Sequence, residues 1–599
     1  MIALGLAITG ILGLRACLHP SSQIETDAGA SDGFVHVPQM RVDGGALADA
    51  SPIAHGNLDN DAASATAKDA AASLISPPDN STNPAWTLPS VPAAKRTPVT
   101  NARIENLEAT IPPQCYTKTE GRYNPCYACH QMYDRKGEDR INELDDGSIQ
   151  GGYIFSDIGV TNHYSNLFVD RSAWLASIDD EQIVAYANSD NYSALPARLD
   201  AQGWKGFVPD LANYSEAASA FDEHGLARDG SYWVAFNYKP FLGTFWPTNG
   251  ATDDVVLRLP KAFRERKGTF DRDVYYVNLT LVELNVKNLK EASIWPIDEA
   301  AIKLDVDGDG KLATATKVVK IAHYVGDASD VTLDFQQFPQ GTEIMHSVRY
   351  LGVDKDRIFI PRRMKELRYM RKVNVLARDV ISSRYANERK EKLAGELPNF
   401  IHRGDEGFDN GLGWFVQGFI EDYEGELRPQ SYEEGMFCMG CHTAIGTTID
   451  STFSFARKIT GKAGWGYINL VGMADAPNVN ESQGEILSYL QRVGGGNEFR
   501  ENPEMVQRWF NADGTLDTQK VLAADIYTLL APSARRALDL NKAYTNIVRH
   551  QSFIYGRDAT WKPATNVYKQ VDESVAPLKA EFRYYGWDLR LDWPQAPAP

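Results

Sequence analysis

Cys126-Tyr127-Ala128-Cys129-His130 and Cys438-Met439-Gly440-Cys441-His442 decide the chemistry of this chain and, through it, the expected fold. Each run has the form C-x-x-C-H, the spacing that attaches a c-type haem. The two thiols add across the haem vinyl groups as thioethers, and the histidine behind them becomes the proximal iron ligand. Two such runs among only six cysteines are hard to read otherwise. A zinc ribbon brings its two C-x-x-C knuckles within about twenty residues of each other, whereas these lie more than 300 residues apart. A redox dithiol needs no histidine behind the second cysteine. We therefore expect two covalent haems, with thioethers at Cys126, Cys129, Cys438 and Cys441 and with His130 and His442 as proximal ligands.

Working outward, 599 residues are too many for one ordinary core and predict two or three domains. The net charge of −18 speaks against nucleic-acid binding, which requires clustered positive charge. It suits docking to a basic redox partner such as a small cytochrome. The apolar residues from Ile2 to Leu14 are too short for a comfortable membrane span and fit the apolar region of an export signal. Leu14-Arg15-Ala16-Cys17 resembles a bacterial lipobox, in which the cysteine is lipidated, although Arg15 departs from that pattern. Haem c is attached outside the cytoplasm, so export follows from the haem runs as well. The expected location is the periplasm or outer membrane of a Gram-negative bacterium, with a membrane anchor at Cys17. Without lipidation, a Cys17–Cys115 disulfide is the open alternative in an oxidising compartment.

Residues 18–98 are rich in Ala, Ser, Asp, Asn and Pro without a sustained period and read as a disordered tether behind a signal and lipobox segment at 1–17. A first haem region spans 99–250, a β-rich segment 251–358, and a helical second haem domain 359–599. The expected class is α+β, with mostly helical, cytochrome c-like haem regions around a β-rich middle. Within that middle, Tyr275, Val277, Leu279 and Leu281 alternate as in a strand, as do parts of 318–325, 331–335 and 344–350. A charged helical pattern runs from Arg362 through Leu367 and Met370.

Asp305-Val306-Asp307-Gly308-Asp309-Gly310 matches the first half of a calcium loop, with Asp305, Asp307 and Asp309 as ligands. Thr316 stands where an EF-hand carries its bidentate glutamate, so this is not an EF-hand proper. The sixth position of each iron can be filled by His163, His224, His323, His346, His402, His550 or Met473. Proximity in sequence favours His163 for the first haem. The helical stripe Leu540, Ala543, Ile547, His550 favours His550 for the second.

On its two C-x-x-C-H runs the chain resembles the large bacterial dihaem c-type cytochromes, the broad group that includes dihaem peroxidase-like and rubber-oxygenase-like proteins. The resemblance implies the proximal and thioether roles given above, and the wide spacing between the runs departs from the peroxidases. Electron transfer outside the cytoplasm, with both irons six-coordinate, is the expected function. The alternative is a dihaem peroxidase or oxygenase with one open iron.

Overall fold

The charged stretch that reads as helical is a central β-strand. In the computed structural model, which describes residues 88–90, 110–131, 147–155, 158–394 and 400–593, Met364–Lys372 pairs antiparallel with Glu343–Arg349 on one side and Trp414–Glu421 on the other. Its buried charges have partners. Glu366 bonds Arg368 at 3.0 Å and Arg557 at 2.7 Å, and Lys372 bonds Asp450 at 2.5 Å. Helical spacing of apolar residues here is a coincidence of a strand buried on both faces, where polar side chains alternate with apolar ones only if they bring their own partners.

The sheet has eight strands in the order Val234–Ala235, Thr252–Arg258, Glu343–Arg349, Met364–Lys372, Trp414–Glu421, Phe408–Asp409 and Ile401–His402, with Leu427–Pro429 also paired to Trp414–Glu421. It therefore recruits strands from all three regions drawn on the sequence. The described residues belong to one unit, Asp61–Pro599.

Arg272–Val286, which includes the alternating Tyr275–Leu281, is an α-helix. Asp271 caps it, its carboxylate accepting from the Asp273 and Val274 amides. Every residue from Val274 to Val286 is buried, so the apolar pattern has no exposed face from which to tell a period of 3.6 from one of 2. The segments 320–325 and 331–335 form no named strand, whereas Thr314–Val319 and Glu343–Arg349 do.

The longest helix after the sheet, Ala534–His550, starts at the Ser533 cap and buries Ala537, Leu540, Tyr544, Ile547 and Val548 at helical spacing. It packs on the helices Ser172–Ala176 and Asp180–Asn188. Leu88 is buried in the same cluster and the Pro89 carbonyl accepts from Arg549, so Leu88–Ser90, within the stretch read as tether, lies against the folded body.

Candidate haem attachment sites

Both C-x-x-C-H runs fold into the same turn. The first lies on a 3₁₀ helix, Pro125–Ala128, and the second on another, Met436–Gly440. In the first, the amides of Cys129 and His130 donate to the Cys126 carbonyl at 3.1 and 2.8 Å. In the second, Cys441 and His442 donate to the Cys438 carbonyl at 3.2 and 2.9 Å. The turn presents two cysteines and a histidine from five consecutive residues.

Different neighbours build each turn. Asn124 caps the first through Oδ1 to the Tyr127 amide, and Pro125 takes the first helical position. Gln150 donates to the His130 carbonyl at 2.7 Å, and the Tyr127 ring is fully buried. The second turn follows a one-turn helix, Tyr432–Gly435, with a capping box between Ser431 and Glu434. Gly440 is required by a close approach: a Cβ there would meet the Thr110 carbonyl oxygen at 2.9 Å.

His442 is poised as a metal ligand. Its Nδ1 lies 2.9 Å from the Ser451 carbonyl. A proton on Nδ1 makes that hydrogen bond and leaves the Nε2 lone pair available, as in metal-bound histidines. Burial pushes the imidazole down to about 4, the Ser451 bond opposing and Arg368 adding to the shift. Burial pushes the Cys126 and Cys441 thiols up to about 11 and raises Cys438 as well. A redox dithiol needs the opposite, a thiol lowered by its surroundings. The four cysteines also do not converge on one ion: among the described residues, the one metal-capable cluster of His, Cys, Asp and Glu is elsewhere. Thioether formation consumes neutral thiols, the form that burial favours at Cys126, Cys438 and Cys441.

The runs are connected by aromatic rings. Tyr127, inside the first run, meets Trp587 at 6.0 Å between centroids, and Trp587 meets Phe241 at 6.4 Å. Phe241 meets Phe453 at 4.7 Å, and Phe453 meets the His442 ring at 5.9 Å.

The sixth-ligand candidates lie far apart. His163 is on a loop, its Nε2 3.2 Å from the Ile158 carbonyl, and its neighbour Tyr164 packs on Phe437, the residue before the second run. His550 ends its helix with Nδ1 2.8 Å from the Asn546 carbonyl and its ring 5.9 Å from Trp174. His224 contacts Arg272 and Trp295, His323 and His402 are exposed, and Met473 is buried in the main core. Among them, His346 is the one that acts electrostatically on His442. Arg368, which the sequence reading passed over, acts on both Cys438 and Cys441. The signal for it lay in strand register, since Arg368 sits directly opposite His346.

The acidic loop brings together Asp305 and Asp307 with the buried Glu299, their ligand atoms within 4.8 Å of one another. Asp309 is not in that group; its Oδ1 accepts from the Lys311 amide instead. Three carboxylates are a donor set for a hard cation. They also serve the loop itself, Asp305 accepting from the Gly308 and Gly310 amides and Glu299 from Val306 and Ala313.

Comparison with known proteins corrects the family. A family model whose description ends "-like lipoprotein" matches residues 98–527, which include both C-x-x-C-H runs. An "Uncharacterized lipoprotein" of Aquifex aeolicus (strain VF5) is 31% identical over 529 residues, covering 78% of this chain and 88% of its own length. No solved structure matches. The resemblance to the large dihaem cytochromes rested on the two short C-x-x-C-H runs alone, and these matches over most of the chain overturn it. The chain belongs to this lipoprotein family.

Proposed function

We propose that the protein is an electron carrier outside the cytoplasm, with one haem c on each run. The observation that carries the reading is the common turn: two C-x-x-C-H runs, in unrelated surroundings, fold with the same pair of amide-to-carbonyl bonds, and His442 is held in the tautomer a ligand requires. When bound, each haem supplies a reversible one-electron couple. The chain's own residues do the rest. Cys126 and Cys129 hold the first group, and Cys438 and Cys441 the second. His130 and His442 ligate from the proximal side. Ser451 and Asn410 fix the second histidine, Asn410 donating to the His442 carbonyl at 2.8 Å and to Ser451 Oγ at 3.2 Å. The ring contacts from Tyr127 to His442 favour electron sharing between the two sites over two independent ones.

Membership of a lipoprotein family supports the lipobox-like reading of Cys17, which lies outside the described residues. A lipid there would hold the protein at a membrane face after export. The acidic balance, −18 before any haem propionates, favours a basic cytochrome as partner and an exchange rate that falls as salt rises. The loop of Glu299, Asp305 and Asp307 is offered as a calcium site that stabilises the fold rather than taking part in electron transfer.

The test is denaturing electrophoresis with haem staining of the exported protein. Wild type should carry two covalent haems, Cys126→Ala with Cys129→Ala one, and Cys438→Ala with Cys441→Ala one. Absence of staining in the wild type, or two haems in either double variant, refutes the reading. Loss of fatty-acid labelling in Cys17→Ala checks the anchor.

A further inference from the structure

We infer that His346 supplies the sixth ligand to the iron held at Cys438-Met439-Gly440-Cys441-His442, with Asp253 and Phe245 fixing its ring and Arg368 standing beside it. The inference rests on the haem reading above and names a residue that reading leaves open.

The argument begins with register. In the sheet, Val255, His346, Arg368 and Gly418 are directly opposite one another on four adjacent antiparallel strands. Residues opposite in an antiparallel pair share a face, so His346 and Arg368 project to the same side. That side is where the second run packs, because Glu366, two residues from Arg368 and on the same face, bonds Arg557 at 2.7 Å, and the Arg557 guanidinium lies 4.5 Å from the Phe437 ring, next to Cys438. Arg368 and His346 are also the two side chains that act electrostatically on His442.

The His346 ring is then held as a ligand is held. Its Nε2 is buried yet makes no hydrogen bond, although Asp253 Oδ2 lies 3.3 Å away. That carboxylate oxygen accepts from the Tyr238 hydroxyl at 2.5 Å. A carboxylate beside one ring nitrogen, with the other nitrogen left over, is the usual outer shell of a metal-bound histidine.

Phe245 adds a second sign. Its ring meets His346 edge-on at 5.1 Å and lies 4.8 Å under the Arg368 guanidinium. To place it there, the backbone takes φ of 51°, the left-handed region a bulky residue avoids. Such strain collects at functional sites and persists only where the surroundings impose it. A packing role alone would be served by a relaxed residue, whereas a ring wedged between His346 and Arg368 fixes the direction of both.

The test uses the full exported protein with both haems attached. Spin state is read from the visible spectrum and electron paramagnetic resonance of the oxidised form, and haem number from staining. Wild type should be low-spin at the second iron. His346→Ala should convert one iron of two to high spin, keep two covalent haems, and return to low spin when imidazole is added. His346→Met, which keeps a ligand should the alanine variant fold poorly, should remain low-spin with the potential of one haem raised. Two stained haems with unchanged spectra and potentials in both variants overturn the inference and leave the haem reading standing. A wild type with two haems and a high-spin second iron overturns it too. A wild type without haem overturns both.

Discussion

Removing one charge from the buried cluster around Glu485 should cost more than any surface change. Glu485 starts the helix Glu485–Val493, which packs on the turn of the first run, and its side chain is fully buried. Arg457 Nη1 lies 2.6 Å from one carboxylate oxygen and Lys239 Nζ 3.1 Å from the other, both cations being fully buried as well. Arg457 also lies near Phe241 in the ring path toward His442. Glu485→Gln keeps the shape and leaves the buried Arg457 without its carboxylate, while Lys239 retains Asp475 at 2.9 Å. Breaking such a cluster costs about 3–5 kcal/mol, most of it from the stranded charge. Unfolding entropy for an ordered body of this size is about 1 kcal/mol/K, so the melting temperature should fall by roughly 3–5 °C at pH 7. The pH dependence follows from the same cluster. Burial alone would raise the Glu485 carboxyl, but Arg457 and Lys239 hold it below its usual value. The stabilisation is therefore complete above the unfolded pKa of about 4.3 and is lost as pH falls through the lower folded value. The gap between wild type and Glu485→Gln should narrow in acid. Asp539→Asn, which breaks the exposed pair with Arg535, is the control and should change stability by less than about 1 kcal/mol. Calorimetry from pH 7 downward checks this. A drop under 1 °C at pH 7, or a gap that does not change with pH, would refute the reasoning.

Lys365 is pushed down by burial to about 7, with Glu421 opposing, while its Nζ donates to the Gly250 carbonyl at 2.7 Å. The unfolded chain binds the proton more tightly between pH 7 and about 10.4, so wild-type stability should rise with pH over that window, and Lys365→Met should gain most at or below pH 7 and progressively less toward pH 10; denaturant midpoints that keep a constant gap across the range would show that the lysine is not strained. Chelator should lower the melting temperature through the Glu299, Asp305 and Asp307 loop, and Asp307→Ala should abolish the difference, whereas melting curves unmoved by chelator and by added calcium would remove that site.

The common turn of the two C-x-x-C-H runs was legible because each pattern occupies five consecutive residues, and the backbone only has to fold each into one tight turn. Strand Glu343–Arg349 was legible for a similar reason: its apolar residues recur locally. The helix Arg272–Val286 was not, since total burial erases the contrast between faces on which both periodicities depend. Met364–Lys372 failed for a physical reason of another kind. A buried charge is tolerated only with its partner, and the partners here are remote: Arg557 stands 191 residues from Glu366, and Asp450 stands 78 from Lys372.

The same limit governs the candidate ligands. Sequence proximity put forward His163, and a helical stripe put forward His550, because both criteria use only local information. What sets His346 apart is that a strand register of one particular offset places it opposite Arg368 and toward the second run. A slip of one residue would turn both side chains to the other face. The register is held by the long pairing of Met364–Lys372 with both neighbours and by the bulge between Met364 and Glu366. On the proposal that His346 is a ligand, ligation of the second iron depends on the sheet as a whole. A deletion that removes the bulge should therefore disturb the spin state of that iron while leaving its thioethers attached.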